Sequence, residues 1–187
     1  MSLSFHFHGH GTYTLTVDGT RLLIDPFFSN NPVADVTADN VEADYILVTH
    51  GHFDHVGDLV AVANRLGALV ICNVEIAGWL GRQGVNNIHA QHIGGGYHHP
   101  FGYLKFTVAH HGSGLPDGSY GGNPAGFLLR TDRHRVYLAG DTALFSDMQF
   151  LGEENLDLAV LPIGDNFTMG PDDALRAAEW VKARNYI

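Results

Sequence analysis

The segment Thr49-His50-Gly51-His52-Phe53-Asp54-His55 sets the strongest constraint on this chain. Four metal-ligand side chains crowd together there, directly after the apolar run Tyr45-Ile46-Leu47-Val48. Alternate residues of an extended chain point the same way, so the imidazoles of His50 and His52 converge on one ion. Asp54 and His55 follow where the chain turns into the helix-periodic segment 57–66, close enough to hold a second ion beside the first. With 13 His in 187 residues, shuffling the composition yields His-x-His-x-Asp-His in roughly one chain in two hundred. Chance is therefore a poor account of the cluster, and a two-metal hydrolytic centre is the reading it supports.

The remaining composition narrows the function classes. A hydrophobic fraction of 45% over 187 residues suits one compact domain, residues 1–187, with a sizeable core. Ten basic against 20 acidic residues give a formal charge of −10, which repels a phosphate backbone and argues against nucleic acid as a partner. The single Cys72 lies in the apolar run 68–72, which excludes a disulfide framework and reads as a buried, inert thiol. No apolar run reaches the ~18 residues of a membrane span, and no leader pattern opens the chain, so the expectation is a soluble, cytoplasmic protein. Oligomeric state is left open.

Along the chain, short apolar runs at 4–8, 13–17 and 21–24 read as antiparallel strands, the last two joined by the turn Asp18-Gly19. From Tyr45 strands and helices alternate: strand 45–48, helix 57–66, strand 68–72, helix 74–80. Strands are expected again at 104–109, 127–131 and 136–139, with a hairpin at Asp132-Arg133. A helix around 144–151, a strand at 156–161 and a helix opened by Pro171 follow. The Gly-, Pro- and Ser-rich stretch 112–126 reads as a long loop of the kind that is often functional. The pattern implies two layers of sheet between outer helices.

Further candidate ligands end apolar strands, where loops gather side chains into a cleft. His110 and His111 follow the run 104–109, and Asp141 follows 136–140. The set His50, His52, Asp54, His55, a later His and then Asp141 resembles the signature of the metallo-β-lactamase superfamily. More narrowly, the chain is similar to small, largely uncharacterised metal-dependent hydrolases related to ascorbate-phosphate lactonases. The matching segments are His8-Gly9-His10, Leu23-Ile24-Asp25-Pro26-Phe27, Tyr120 to Phe127, Ala139-Gly140-Asp141-Thr142 and Leu161 to Pro171.

The resemblance implies an α/β, four-layer αββα sandwich. It assigns His50, His52 and His111 to one metal, Asp54 and His55 to a second, and Asp141 to the bridge, with His110 lining the pocket. His111 is preferred because the family ligand precedes a small or hydroxyl residue; the subgroup more often has Ser where this chain has Gly112. Family members also carry a last metal-binding His after the final helix, and this chain stops at Ile187 without one. The expectation is therefore a fold C-terminally incomplete or a second metal site that is depleted.

Imidazoles and carboxylates suit zinc, with manganese or iron as alternatives, and two divalent ions would lower the pKa of a bridging water to about 7. Asp54 is the expected catalytic carboxylate, orienting the hydroxide and passing its proton to the leaving group. His8 and His10, two apart in a strand, are expected on one face, with His10 a candidate site residue. Asp25 is expected to support the ligands, and Asp165 and Thr168, in the loop before the last helix, to contact substrate. His6, His89, His92, His98, His99 and His134 read as surface residues. The leading function is hydrolysis of a small ester, lactone or phosphoester. A non-catalytic metal-binding scaffold and a di-iron redox protein of the same fold are the alternatives, the second weakened because that branch generally has Glu in place of His52.

Overall fold

A computed structural model describes residues 2–187 of the chain. They form two compact units: residues 2–92 with Gly112–Asn123, and Ile93–His111 with Pro124–Ile187.

The first unit opens with strands β1 (Leu3–Gly9), β2 (Thr12–Val17) and β3 (Thr20–Ile24), joined as antiparallel neighbours. The β2–β3 turn uses Asp18 and Gly19, both at positive φ (50° and 89°), the conformation a tight hairpin needs. Strand β4 (Tyr45–Leu47) then adds to β3 in parallel, and helices α1 (Phe53–Val56) and α2 (Leu59–Leu66) carry the chain to β5 (Leu69–Cys72). Helix α3 (Val74–Arg82) leads to the short edge strand β6 (Ile88–Ala90). The strand order is β1-β2-β3-β4-β5-β6. Leu59, Val62 and Ala63 of α2 and Ile76, Trp79 and Leu80 of α3 share one apolar core with Leu23, Ile46, Val48, Val70 and Cys72. Each fully buried aliphatic side chain there stabilises the unit by about 1.5–3 kcal/mol. Burial also pushes the Cys72 thiol up to about 12, in keeping with an inert thiol.

The second unit contains β7 (Gly96–His99), β8 (Gly102–Val108), β9 (Ala125–Arg130) and β10 (Arg135–Leu138), all antiparallel in sequence, then α4 (Met148–Leu151), β11 (Leu158–Val160) parallel to β10, and α5 (Pro171–Val181). The order is β11-β10-β9-β8-β7. Its core joins Leu128, Tyr137 and Ala159 to Met148, Leu151, Ala177 and Val181.

Strand direction explains what each sheet places at its edge. In the first unit β1, β3, β4 and β5 all run the same way, so the residues after them, His10, Asp25, Thr49 to His52 and Asn73, share one edge. Strands β8, β10 and β11 likewise run together, bringing His110 and His111, Asp141 and Thr142, and the loop 161–170 to one edge. Ligands of open α/β sheets gather at such carboxyl ends.

Three details differ from the sequence reading. The helix expected over 57–66 is α2 (Leu59–Leu66), but a separate one-turn helix, α1, precedes it, so Asp54 and His55 lie on a helix and not on the turn before one. The longer helix α2 starts only at Leu59, behind Asp58, whose carboxylate instead accepts the Phe28 N–H, the Ser29 N–H and the Ser29 hydroxyl, fastening the loop after β3. The helix expected over 144–151 is one turn, because Leu144 and Phe145 pack into the core from an irregular segment. Strands β6 and β7, absent from the sequence reading, are short and polar. Among the described residues no helix is long and apolar enough to cross a membrane.

Candidate metal centre

In the first unit the centre is organised by a buried carboxylate. Asp25 follows β3 with a positive φ of 48° and is 1% exposed. Its Oδ1 accepts the Thr49 N–H at 2.8 Å, and its Oδ2 accepts the Thr49 hydroxyl at 2.5 Å and His55 Nδ1 at 2.8 Å. An ionised carboxylate only accepts, so His55 carries its proton on Nδ1. The Thr49 hydroxyl, having given its hydrogen to Asp25, accepts from His50 Nδ1 at 2.9 Å. One carboxylate thus sets the tautomers of two buried imidazoles and leaves Nε2 of each as a lone-pair donor.

His50 Nε2 faces His52 Nδ1 at 3.0 Å. Two nitrogens on one tetrahedral ion, with bonds of ~2.0–2.1 Å, lie about 3.3 Å apart, so the pair fits a shared divalent metal. His10, Asp54 and His55 form a second group, and Asp25, His50 and His55 a third, each offering ligand atoms within 4.8 Å of one another. The donor chemistry, neutral imidazole with carboxylate, suits zinc and its neighbours. His10 sits just beyond β1 at a φ of 53° and its Nε2 lies 2.9 Å from Asp54 Oδ2. That hydrogen bond, aided by the nearby His55, holds the Asp54 carboxyl well below the usual range.

The backbone of the ligand segment is pinned from the loop 112–123. Ser113 Oγ accepts the Gly51 N–H at 3.0 Å and donates to the Gly121 carbonyl at 3.0 Å, while Asn73, capping α3, donates to the same carbonyl at 2.7 Å. Gly112 lies so close to His52 that a Cβ there would stand 3.1 Å from Nε2. Close approach also accounts for Gly11, where a Cβ would fall 2.6 Å from His55 Cε1.

In the second unit, His111 Nε2 and Asp141 Oδ2 stand 3.7 Å apart. His110 turns away and stacks on Phe145, centroids 5.0 Å apart and planes within 4°. Buried Thr142 links the segments: its Oγ1 accepts the His110 N–H at 2.9 Å, and its carbonyl accepts the Met169 N–H at 3.0 Å. Asp165, at a φ of 58°, accepts the Asn166 and Thr168 N–H groups, closing the turn that precedes α5. The Thr168 hydroxyl donates to the Met169 carbonyl at 3.4 Å.

Sequence reasoning passed over Thr49, Ser113 and Thr142, three buried hydroxyl residues. Their only signal is position, each adjoining a candidate ligand. The shared face expected for His8 and His10 is not found: an irregularity at the end of β1 turns His10 toward Asp54, while His8 bonds Asp35 and Thr14. His99, expected at the surface, is buried and stacked on Phe101.

Two sheets whose carboxyl ends carry imidazole and carboxylate donors define a metallo-β-lactamase-type fold. The family model of the beta-lactamase superfamily domain matches residues 20–187, and the chain belongs to that superfamily, in its branch of metal-dependent hydrolases. A UPF0173 metal-dependent hydrolase from Shouchella clausii is 52% identical over 183 residues, covering 95% of this chain and 80% of its own length. A second from Bacillus mycoides is 49% identical over 187 residues, 97% of this chain and 82% of the relative. Among solved structures, a metallo hydrolase from the hyperthermophilic archaeon Ignicoccus hospitalis superposes with a TM-score of 0.87 at 32% identity, covering 98% of this chain and 80% of that one.

Proposed function

We propose that this metal-dependent hydrolase cleaves a small ester, lactone or phosphoester with water activated between two divalent ions, zinc first among them and manganese or iron as alternatives. In this reading His50, His52 and His111 would hold one ion and Asp54 and His55 the other, with Asp141 available to both. The observation that carries it is the Asp25 relay, which presets His50 and His55 as metal ligands through Thr49 and a direct bond. The 3.0 Å approach of His50 and His52 supports the first ion. The packing of Gly112 on His52 supports His111, its neighbour in the chain, as the third ligand.

When bound, the ions supply an activated water near neutral pH and offset charge developing on the substrate oxygen. Asp54, kept ionised beside His10, accepts the proton of the attacking water and delivers it to the leaving group. His10 fixes the carboxylate's orientation, and Asp25 holds the His55 ring in place. The platform of His110 on Phe145, with Asp165 and Thr168, is suited to lining the substrate pocket. A charge of −10 favours a small soluble substrate over nucleic acid and is compatible with work in the cytoplasm.

The test is a panel of p-nitrophenyl esters, lactones and phosphodiesters, assayed with the protein zinc-loaded and after chelation. Turnover of at least one class, lost on chelation and restored by zinc, is expected. Full metal occupancy with no turnover of any class would instead mark a metal-binding scaffold.

A further inference from the structure

A second set of metal donors lies on the first unit and shares no residue with the centre above. His6 and His8 are two apart on β1, and their rings stack with centroids 4.5 Å apart and planes at 23°. Both reach the same carboxylate: His6 Nε2 stands 2.5 Å from Asp35 Oδ2, and His8 Nδ1 stands 2.7 Å from Asp35 Oδ1. One ligand atom from each of the three lies within 4.8 Å of the others.

The arrangement is built rather than incidental. His8 is buried, and its second nitrogen meets Thr14 Oγ1 at 2.9 Å, a partner that fixes the ring and aims Nδ1 at Asp35. Ligating imidazoles commonly have such an outer partner. Asp35 arrives on the loop between β3 and β4, which is anchored to β1 by buried Asn31, whose Nδ2 donates to the His8 carbonyl at 3.3 Å and whose Oδ1 accepts the Val33 N–H at 3.2 Å. His6 and Asp35 leave an open side, with side chains 62% and 46% exposed.

We propose that His6, His8 and Asp35 form an accessory site for a divalent first-row transition metal, zinc being the probe of choice. Two imidazoles and one carboxylate on one side of the ion, with water on the other, make a three-ligand face of the kind used by zinc and ferrous iron. The open side makes the ion exchangeable, unlike one enclosed by four side chains.

The experiment counts zinc per chain by mass spectrometry after loading and desalting, in the wild type, His6→Ala and Asp35→Asn, and titrates zinc into the metal-free full chain by calorimetry. The wild type is expected to take up one more ion than either variant. Thr14→Val is expected to keep that ion at saturation but bind it ~10–100-fold more weakly. His6 is exposed, so His6→Ala leaves the fold intact even where Asp35→Asn loosens the loop. Equal zinc counts in the wild type and His6→Ala, or an Asp35→Asn count equal to the wild type, overturns the assignment and leaves a hydrogen-bonded His-Asp-His cluster.

Discussion

Asp25→Asn changes one atom of the centre and is expected to disable two ligands at once. The amide is nearly isosteric and tolerates the positive φ of 48° at this position, so the fold is retained. The hydrogen-bond directions are not. With its oxygen kept on the Thr49 N–H, the new NH2 group faces the Thr49 hydroxyl and His55 Nδ1, both of which give their hydrogens to Asp25 in the native chain. The hydroxyl must turn and donate to His50 Nδ1, and His55 must move its proton off Nδ1. In both rings the proton lands on Nε2, the atom that would ligate. The opposite amide orientation preserves the rings but sets NH2 against the Thr49 N–H, leaving a buried donor unmatched at a cost of about 1–3 kcal/mol. Metal affinity is therefore expected to fall ~10–100-fold, about 1.4–2.7 kcal/mol. Metal-free stability should fall by about 1–3 kcal/mol, or roughly 2–4 °C of Tm per kcal/mol for a chain of this size. Asp25→Ala should do worse on both counts, because it strips every acceptor and disfavours positive φ. Competition titration with a chromophoric chelator measures the first quantity and thermal melts in chelator measure the second. Asp25→Asn binding zinc within threefold of the wild type, while melting as predicted, would show that Asp25 sets packing and not tautomers.

Other perturbations separate the remaining roles. Gly11→Ala places a methyl 2.6 Å from His55 Cε1; it should destabilise by about 1–3 kcal/mol and lower metal content, and unchanged zinc retention would contradict the packing argument. His52→Ala should strip the first metal, whereas Asp54→Ala should deplete the second and abolish turnover while leaving much of the first; equal metal counts in the two variants would rule out that division. Ser113→Ala removes the acceptor of the Gly51 N–H and the donor to Gly121 and should cost about 1–3 kcal/mol in a urea melt. Cys72, its thiol pushed up to about 12 by burial, should resist alkylation at pH 8 until the chain unfolds, so labelling should follow the urea transition; rapid labelling in buffer would show the thiol to be accessible.

Much of the fold is legible because its strands are apolar runs stopped by polar residues. Residues 13–17 and 21–24 stand out beside Asp18-Gly19, and 45–48 and 136–139 end at candidate ligands. What escapes has physical causes. Strands β6 and β7 are short, three and four residues, and owe their conformation to pairing, Ile88 with Val70 of β5 and Tyr97 with Leu104 of the adjoining β8, which a short run of side chains does not announce. The start of α1 is masked because His52 and Asp54 occupy the positions where capping signals are sought. That Asp25 closes an apolar run is visible; that its two oxygens divide between Thr49 and His55 is not, since a hydrogen-bond direction leaves no periodic trace. The cluster of His6, His8 and Asp35 is hidden for another reason: the carboxylate comes from a loop, 27 residues beyond His8.

The ligand hexapeptide alone therefore under-determines the centre. Flexible imidazoles at the end of a strand can face several ways, and each wrong tautomer puts a proton where a metal should bind. This chain removes that freedom with groups that never need to touch substrate. Asp25 acts on two rings, Ser113 on the backbone between His50 and His52, and Thr142 on the segment bearing His110 and His111. All are buried, where a hydrogen bond is worth more and an unmatched donor costs more than at the surface. Loss of such a support should consequently appear first as weaker metal binding and only secondarily as a slower chemical step.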